Sequence, residues 1–400
     1  MILQPVHQFT IPLFTERVLC NVYYVYLNVN PSNPFLTQGY LSAEYFCDRK
    51  VELKLMQESL VNGNNLALIS GRRKGKTNLI LNLFHHHKSP AVYIDIFNAR
   101  NESDFVQQLS RAIVQQLGTP KESFVKKLSR TVRSFRPNIG FNPITGEPEL
   151  GIQFSEERSS IKNLEDVFGF LSQEYPGVLI AIDEFQQILS WENPGVEAEL
   201  RSLTQRYPLI RFIYCGSSRK LMFDLFNNSR RPFYHSSQLL FLEKINPDLY
   251  LKFITSKLSD RILTENNIRH EIIWCRGETY YIQRLFNRIY GKGPGTYNRQ
   301  DLDQIESQLI AEKESEFQIQ LRLLAKQQRS LLIALALSKG IDKPTSAEFL
   351  KQYSLSSSST IAQNLNVLIE KDMVIKDEGL YRVADVFLEH WIQGSYGKEL

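Results

Sequence analysis

Two short stretches carry the residues best suited to chemistry: ISGRRKGKTNLI, from Ile69 to Ile80, and GVLIAIDEF, from Gly177 to Phe185. In the first, Gly75, Lys76 and Thr77 satisfy the second half of the pattern G-x-x-x-x-G-K-[ST]. That pattern binds phosphates because glycines let backbone amides converge on the oxygens, lysine reaches the β- and γ-phosphates, and the hydroxyl binds magnesium. Ser70 stands where the first glycine is expected, and Gly71 beside it can supply the flexibility. Residues Ser70, Gly71, Arg72, Arg73, Lys74, Gly75, Lys76, Thr77 and Asn78 are therefore expected to cradle ATP at the positive end of a helix dipole. In the second stretch an apolar strand ends in Asp183 and Glu184. A phosphate loop needs such an acid at the end of another buried strand, so Asp183 with Thr77 is expected to hold Mg2+. Glu184 can then accept a proton from the attacking water. Asp183-Glu184 alone reads as a helix start, and a lone Gly-Lys-Thr is common by chance. Both in this order, each with its strand, are specific.

Other candidates read in two ways. Ser217-Ser218 closes a later strand and either presents a γ-phosphate sensor or caps the helix RKLMFDLF. Arg219, Arg230 and Arg231 could each stabilise charge on a transferring phosphate or be surface arginines. Glu184, Lys76, Ser217 and Arg231 are taken as the catalytic set. Asp95, after a second buried strand, reads as a structural cap. His85, His86 and His87 are consecutive on a helix, so they cannot all face one metal; a cation cluster at a helix end is the better reading.

The elements that must position these groups follow from periodicity. Buried strands are expected at Leu66–Ser70, Ala91–Phe97, Gly177–Phe185 and Leu209–Ser218, with helices between them, which implies a parallel sheet covered on both faces. Ile139–Phe154 reads as a hairpin, an inserted arm at about 137–155. Ser103–Leu117 and Ser123–Ser134 are helical, and Lys121, Lys126, Lys127, Arg130, Arg133 and Arg136 give a solvated basic face. Helices dominate from Pro247 to about Leu337. Three helices and two short strands around Asp377-Glu378-Gly379 then describe a winged helix-turn-helix. The expected organisation is a leader at 1–32, a P-loop core at 33–244, a helical module at 245–324 and a winged helix at 325–400.

Composition is compatible with this and excludes little. The chain has 400 residues, enough for two or three domains, and is 42% hydrophobic and 22% charged, so global disorder is not expected. A formal charge of +4 neither demands nor excludes nucleic acid. Cys20, Cys47, Cys215 and Cys275 form no CxxC pair, which suits reduced thiols in a cytoplasmic protein. The apolar run VLCNVYYVYLNV falls short of the ~20 residues that span a bilayer.

The segments NPFLTQGYLSAEYFCDRKVEL, SGRRKGKTNLI, LIAIDEFQQI, GSSRKLMFDLF, RRPFY and LYRVADVFLEHWI together resemble the AAA-like ATPases of the predominantly archaeal ATPase family, near the STAND group, over roughly Asn33 to Gln393. The resemblance implies an ASCE-type P-loop core, a helical module and a C-terminal winged helix. It gives Lys76 and Thr77 the phosphate and magnesium roles, Asp183 and Glu184 the Walker B roles, and Ser217 the sensor role. One departure is Gly277-Glu278-Thr279, where STAND members often carry Gly-x-Pro. The expected function is a slow Mg-dependent ATPase acting as a nucleotide-controlled switch, with a protein partner or self-association. One alternative is a DNA-associated motor or loader. The candidate recognition helix offers Gln363, Asn364 and Asn366 but few cations before Lys371, which weakens DNA binding. The other alternative is an ATP-binding sensor or scaffold without turnover.

Overall fold

The computed structural model describes residues 32–117, 128, 135–141, 148–154 and 159–397. The leader, Cys20 and the basic residues Lys121, Lys126, Lys127, Arg130 and Arg133 lie outside the described residues, as does most of the expected helix at 123–134. The chain divides into two compact units, one built on Arg49–Glu243 and the other on Ser32–Asp48 with Lys244–Leu400.

The first unit runs α1 (Lys50–Val61), β1 (Leu66–Ile69), α2 (Lys76–His86), β2 (Ala91–Asp95), α3 (Glu102–Leu117) and a hairpin of β3 (Phe135–Phe141) with β4 (Pro148–Phe154). It continues with α4 (Ser160–Glu174), β5 (Leu179–Asp183), a 3-10 turn (Phe185–Ser190), α5 (Val196–Arg206), β6 (Arg211–Gly216), α6 (Arg219–Asn227) and β7 (Gln238–Phe241). Five strands form one parallel sheet in the order β2-β5-β6-β1-β7. Every residue of β1 and β5 is buried, which is why these strands are continuous apolar runs and not alternating ones. The helices supply apolar stripes to the sheet: α3 buries Phe105, Val106, Leu109, Ala112 and Ile113 at helical spacing. Because β6 lies between β1 and β5, the residue that follows it is delivered between the phosphate loop and the acid pair.

An aromatic cluster fixes the strand ends. Phe185, directly after Glu184, packs at centroid distances of 4.5 Å on Tyr214 and 5.3 Å on Phe233, and Phe226 closes the group 5.3 Å from Tyr214. Each such pair contributes about 0.5–1.5 kcal/mol beyond its buried area, so the backbone carrying Asp183 and Glu184 is well anchored.

The second unit contains α7 (Pro247–Lys257), β8 (Arg261–Ile262), α8 (Glu265–Trp274), α9 (Thr279–Gly291), β9 (Gly295–Thr296), α10 (Arg299–Ala311), α11 (Glu314–Arg322) and α12 (Lys326–Leu337). Its last part is α13 (Ala347–Gln352), α14 (Ser358–Glu370), β10 (Val374–Asp377), β11 (Leu380–Val383) and α15 (Val386–Tyr396). Sequence signals start these helices: Asn246 caps α7 with proline at its first position, Asn298 and Asp301 form a capping box on α10, and Ser346, Ser357 and Asp385 cap α13, α14 and α15. β10 and β11 pair antiparallel across Glu378 and Gly379, whose φ values of 51° and 86° suit a tight primed turn and make the wing. One continuous core joins the helical segment, the winged helix and Phe35. Phe35 is tied down further by its carbonyl, which accepts from Asn287 Nδ2 at 2.7 Å. Cys47, Cys215 and Cys275 are buried free thiols. Among the described residues no helix is long and apolar enough to cross a membrane.

Candidate functional site

The phosphate loop leaves β1 at Ile69 and enters α2 at Lys76. Two left-handed residues shape it, Arg73 at φ 66° and Gly75 at φ 84°, the latter being the N-cap of α2. Glycine is required at the cap because an L side chain resists that backbone region and because close backbone approach is what a phosphate needs. Ser70 is fully buried, and its hydroxyl donates to the Gly71 carbonyl at 2.8 Å, a local bond that accounts for a serine at this position. Lys74 and Lys76 are buried, Arg72 and Arg73 are exposed, and Thr77 and Asn78 occupy the first turn of α2. The Lys76 ammonium reaches the Gly71 carbonyl at 3.5 Å, so it lies folded over the loop.

The acids sit where β5 ends. Thr77 Oγ1 donates to Asp183 Oδ2 at 3.2 Å, and Tyr93 from the neighbouring strand donates its hydroxyl to the same oxygen at 2.8 Å. The Glu184 amide donates to Asp183 Oδ1 at 2.9 Å. Burial, and then the adjacent Asp183 charge, push the Tyr93 phenol far up, so it stays a protonated donor. Glu184 itself adopts a left-handed conformation, φ 54°, unusual for a non-glycine residue. Its Oε2 accepts the Ser217 hydroxyl at 2.7 Å and the Gln186 amide. Burial raises the Glu184 carboxyl, but the bonds from Gln186 and Ser217 and the charge of Lys76 outweigh it, leaving the group below its ordinary value. The site therefore offers a carboxylate anion at neutral pH.

Gly216, just before Ser217, has no room for a side chain: a Cβ there would stand 2.2 Å from Gln186 Oε1 and 2.5 Å from Met222. The bare backbone lets Gln186 reach across to Glu184. The two serines differ in what they bond. Ser218 caps α6 by accepting the Leu221 amide, whereas Ser217 bonds Glu184.

Not every candidate is brought together. Arg231 is placed elsewhere: its guanidinium bonds Asp224 at 2.9 Å and Glu197 at 3.0 Å, joining α5 to α6, and these carboxylates take the charge that a phosphate would use. Arg219 pairs with Glu243 at 2.7 Å on the surface. Asp95 accepts the Phe97 amide at 2.9 Å, the structural cap expected of it, and also pairs in register with Asp183 across β2 and β5. Partial burial, with Asp183 and Glu184 nearby, raises its carboxyl. His85 and His86 fall in the last turn of α2 and His87 caps it, a helix-end cluster.

Sequence reasoning missed Tyr93, Gln186 and Arg49. The Arg49 guanidinium is buried and donates to the Glu243 carbonyl at 2.6 Å and to the Lys74 carbonyl at 3.3 Å, bracing the loop from behind. Its only cue was the basic residue in CDRKVEL, which periodicity does not distinguish from a surface charge.

A parallel sheet with one strand inserted between the phosphate-loop strand and the Asp-Glu strand, followed by helices and a winged helix, defines an ASCE-type, AAA-like P-loop ATPase fold. Known proteins agree at that level. A family model described as "Probable winged helix domain" matches residues 315–394. Among solved structures the chain is similar to the Walker-type ATPase PABY2304 of Pyrococcus abyssi, at 16% identity and a TM-score of 0.63 over 90% of this chain and 99% of that one. It is also similar to the ORC2 protein of Aeropyrum pernix in its ADP form, at 13% identity and a TM-score of 0.50 over 92% of this chain and 97% of that one. Comparison with curated proteins finds no match. At these identities the likeness concerns the fold.

Proposed function

We propose that the chain binds Mg-ATP in the loop Ser70–Asn78 and hydrolyses it slowly, using the nucleotide state as a switch. The observation that carries this reading is the 3.2 Å contact between Thr77 Oγ1 and Asp183 Oδ2, two oxygen ligands of the kind Mg2+ takes, at the foot of a helix whose N-terminus faces the loop. The residues present fit the group: Thr77 and Asp183 would hold the ion, which would neutralise charge on the phosphates. Lys76 would turn from the Gly71 carbonyl to the phosphate oxygens. Glu184, an ionised carboxylate one residue beyond Asp183, would take the proton of an attacking water, and Ser217, already bonded to it, would orient it. The test is phosphate release from ATP by wild type and Lys76→Ala, each with and without duplex DNA. The reading expects Mg-dependent release that Lys76→Ala abolishes; equal release from both would reject it.

The winged-helix match favours DNA-stimulated turnover as a second reading. Against it, the exposed residues of α14 include Gln363, Asn366 and Glu370 without a cation, and the wing tip carries Asp377 and Glu378, both ion-paired to Lys244. Affinity for DNA depends on neutralising phosphates, so this face favours a protein partner. A sensor without turnover would instead show phosphate release unchanged by Glu184→Gln.

A further inference from the structure

At the opposite end of the strands from the phosphate loop, where β1, β6 and β7 begin, lies a cavity of about 420 Å3. Its walls bring together Arg201 from α5, Arg211 at the start of β6, His235, Ser236 and Ser237 from the approach to β7, and Asn64 from the turn before β1. No Asp or Glu is found among the described residues of the lining. The Ser236 and Ser237 hydroxyls are buried and have no hydrogen-bond partner among the described residues. A buried hydroxyl left unsatisfied costs about 1–3 kcal/mol, and rotation of either serine side chain would present it to an acceptor held in the cavity. Arg201 and the Nη2 side of Arg211, whose Nη1 donates to the Pro208 carbonyl, supply guanidinium donors that match the oxygens of a phosphate or carboxylate.

From this we infer a second, anion-binding site in the ATPase core, separate from the phosphate loop, whose ligand is a phosphate-bearing small molecule. The volume falls in the range of small-ligand pockets, about 300–1,000 Å3, and exceeds what a bare phosphate fills, while the polar walls disfavour an apolar ligand. The separation is set by the strands: β6 is six residues long, so at about 3.3 Å per residue the cavity lies on the order of 20 Å from Ser217. One ligand cannot occupy both places. His235, also in the lining, is held in a left-handed conformation, φ 52°, with its ring stacked 3.9 Å from that of Tyr234.

The inference does not depend on the loop binding ATP, and the experiment keeps the two apart. Inorganic phosphate is titrated calorimetrically into wild type, Lys76→Ala, Arg201→Gln/Arg211→Gln and Ser236→Ala/Ser237→Ala, with Mg-ATP titrated in parallel. Phosphate binding is expected to survive in Lys76→Ala, to weaken about tenfold or more in the arginine variant, and to weaken in the serine variant, which keeps both guanidiniums and tests the site if the arginine variant does not fold. Mg-ATP binding is expected to be the same in wild type and the serine variant. Phosphate heat that disappears in Lys76→Ala, that is unchanged in the serine variant, or that is absent from wild type while a polyglutamate peptide binds, would overturn the inference.

Discussion

Among single residues, the proposed hydrolysis depends on how Asp183 and Glu184 are held. Replacing Glu184 by Gln keeps the shape and both hydrogen-bond partners but removes the proposed base, so phosphate release is expected to fall about 10²–10⁴-fold with Mg-ATP affinity retained, measured by steady-state release and calorimetry. Tyr93→Phe deletes a donor to a charged oxygen; hydrogen bonds to charged groups contribute about 1.5–3 kcal/mol, and a loss in that range, read by urea unfolding without nucleotide, is expected. An unchanged midpoint would show that solvent replaces the phenol. The loop residues and the acid pair were legible in the sequence because each is a contiguous motif whose chemistry fixes its spacing. Tyr93 was not, because its role depends on β2 lying beside β5, a long-range pairing that local pattern does not specify. Arg231 shows the same limit: its partners Glu197 and Asp224 come from helices that only the fold brings near.

At the scale of elements, the strand β6 and the turn after it connect packing to chemistry. Gly216→Ala would push its methyl into Gln186 and Met222, and overpacking of this kind costs about 1–3 kcal/mol; the expected result is a lower unfolding midpoint together with slower turnover, since Gln186 must give up Glu184. In the second unit α8 and α10 meet through buried charge: Arg299 bonds Glu271 at 2.6 Å and also Glu306, placing a guanidinium between two carboxylates. Burial, then the neighbouring Glu306, push Glu271 up to about 8, with Arg299 acting in the opposite direction. The folded state thus binds this proton more tightly than the unfolded chain does. Its stabilisation is complete below the ordinary carboxylate range and is lost as pH rises through about 8. Urea unfolding followed from pH 5 to pH 9 is expected to show falling stability in wild type and a flatter profile in Glu271→Gln. The strands and the wing were readable from apolar runs and from Glu378-Gly379, whereas the two-residue ladder β8–β9 was not, since two residues show no period.

At the scale of the whole molecule, the chain combines a P-loop core with a second unit in which helices and winged helix share one core. That shared core was hidden from the sequence, which shows where helices begin but not which apolar faces meet. Its buried pair of Arg276 and Glu389, 3.0 Å apart, fastens α15 to the turn after α8. Removing one partner of such a pair costs about 3–5 kcal/mol, so Arg276→Ala is expected to destabilise the second unit, with loss of amide protection along α15 in hydrogen exchange. The central claim is that a triphosphate and its magnesium ion bind between Gly75 and Asp183. Calorimetric titration of Mg-ATP into wild type and Lys76→Ala is the decisive measurement: a saturable one-site heat is expected in wild type and none in the variant, whereas no heat in wild type, or the same heat in both, would rule this binding site out.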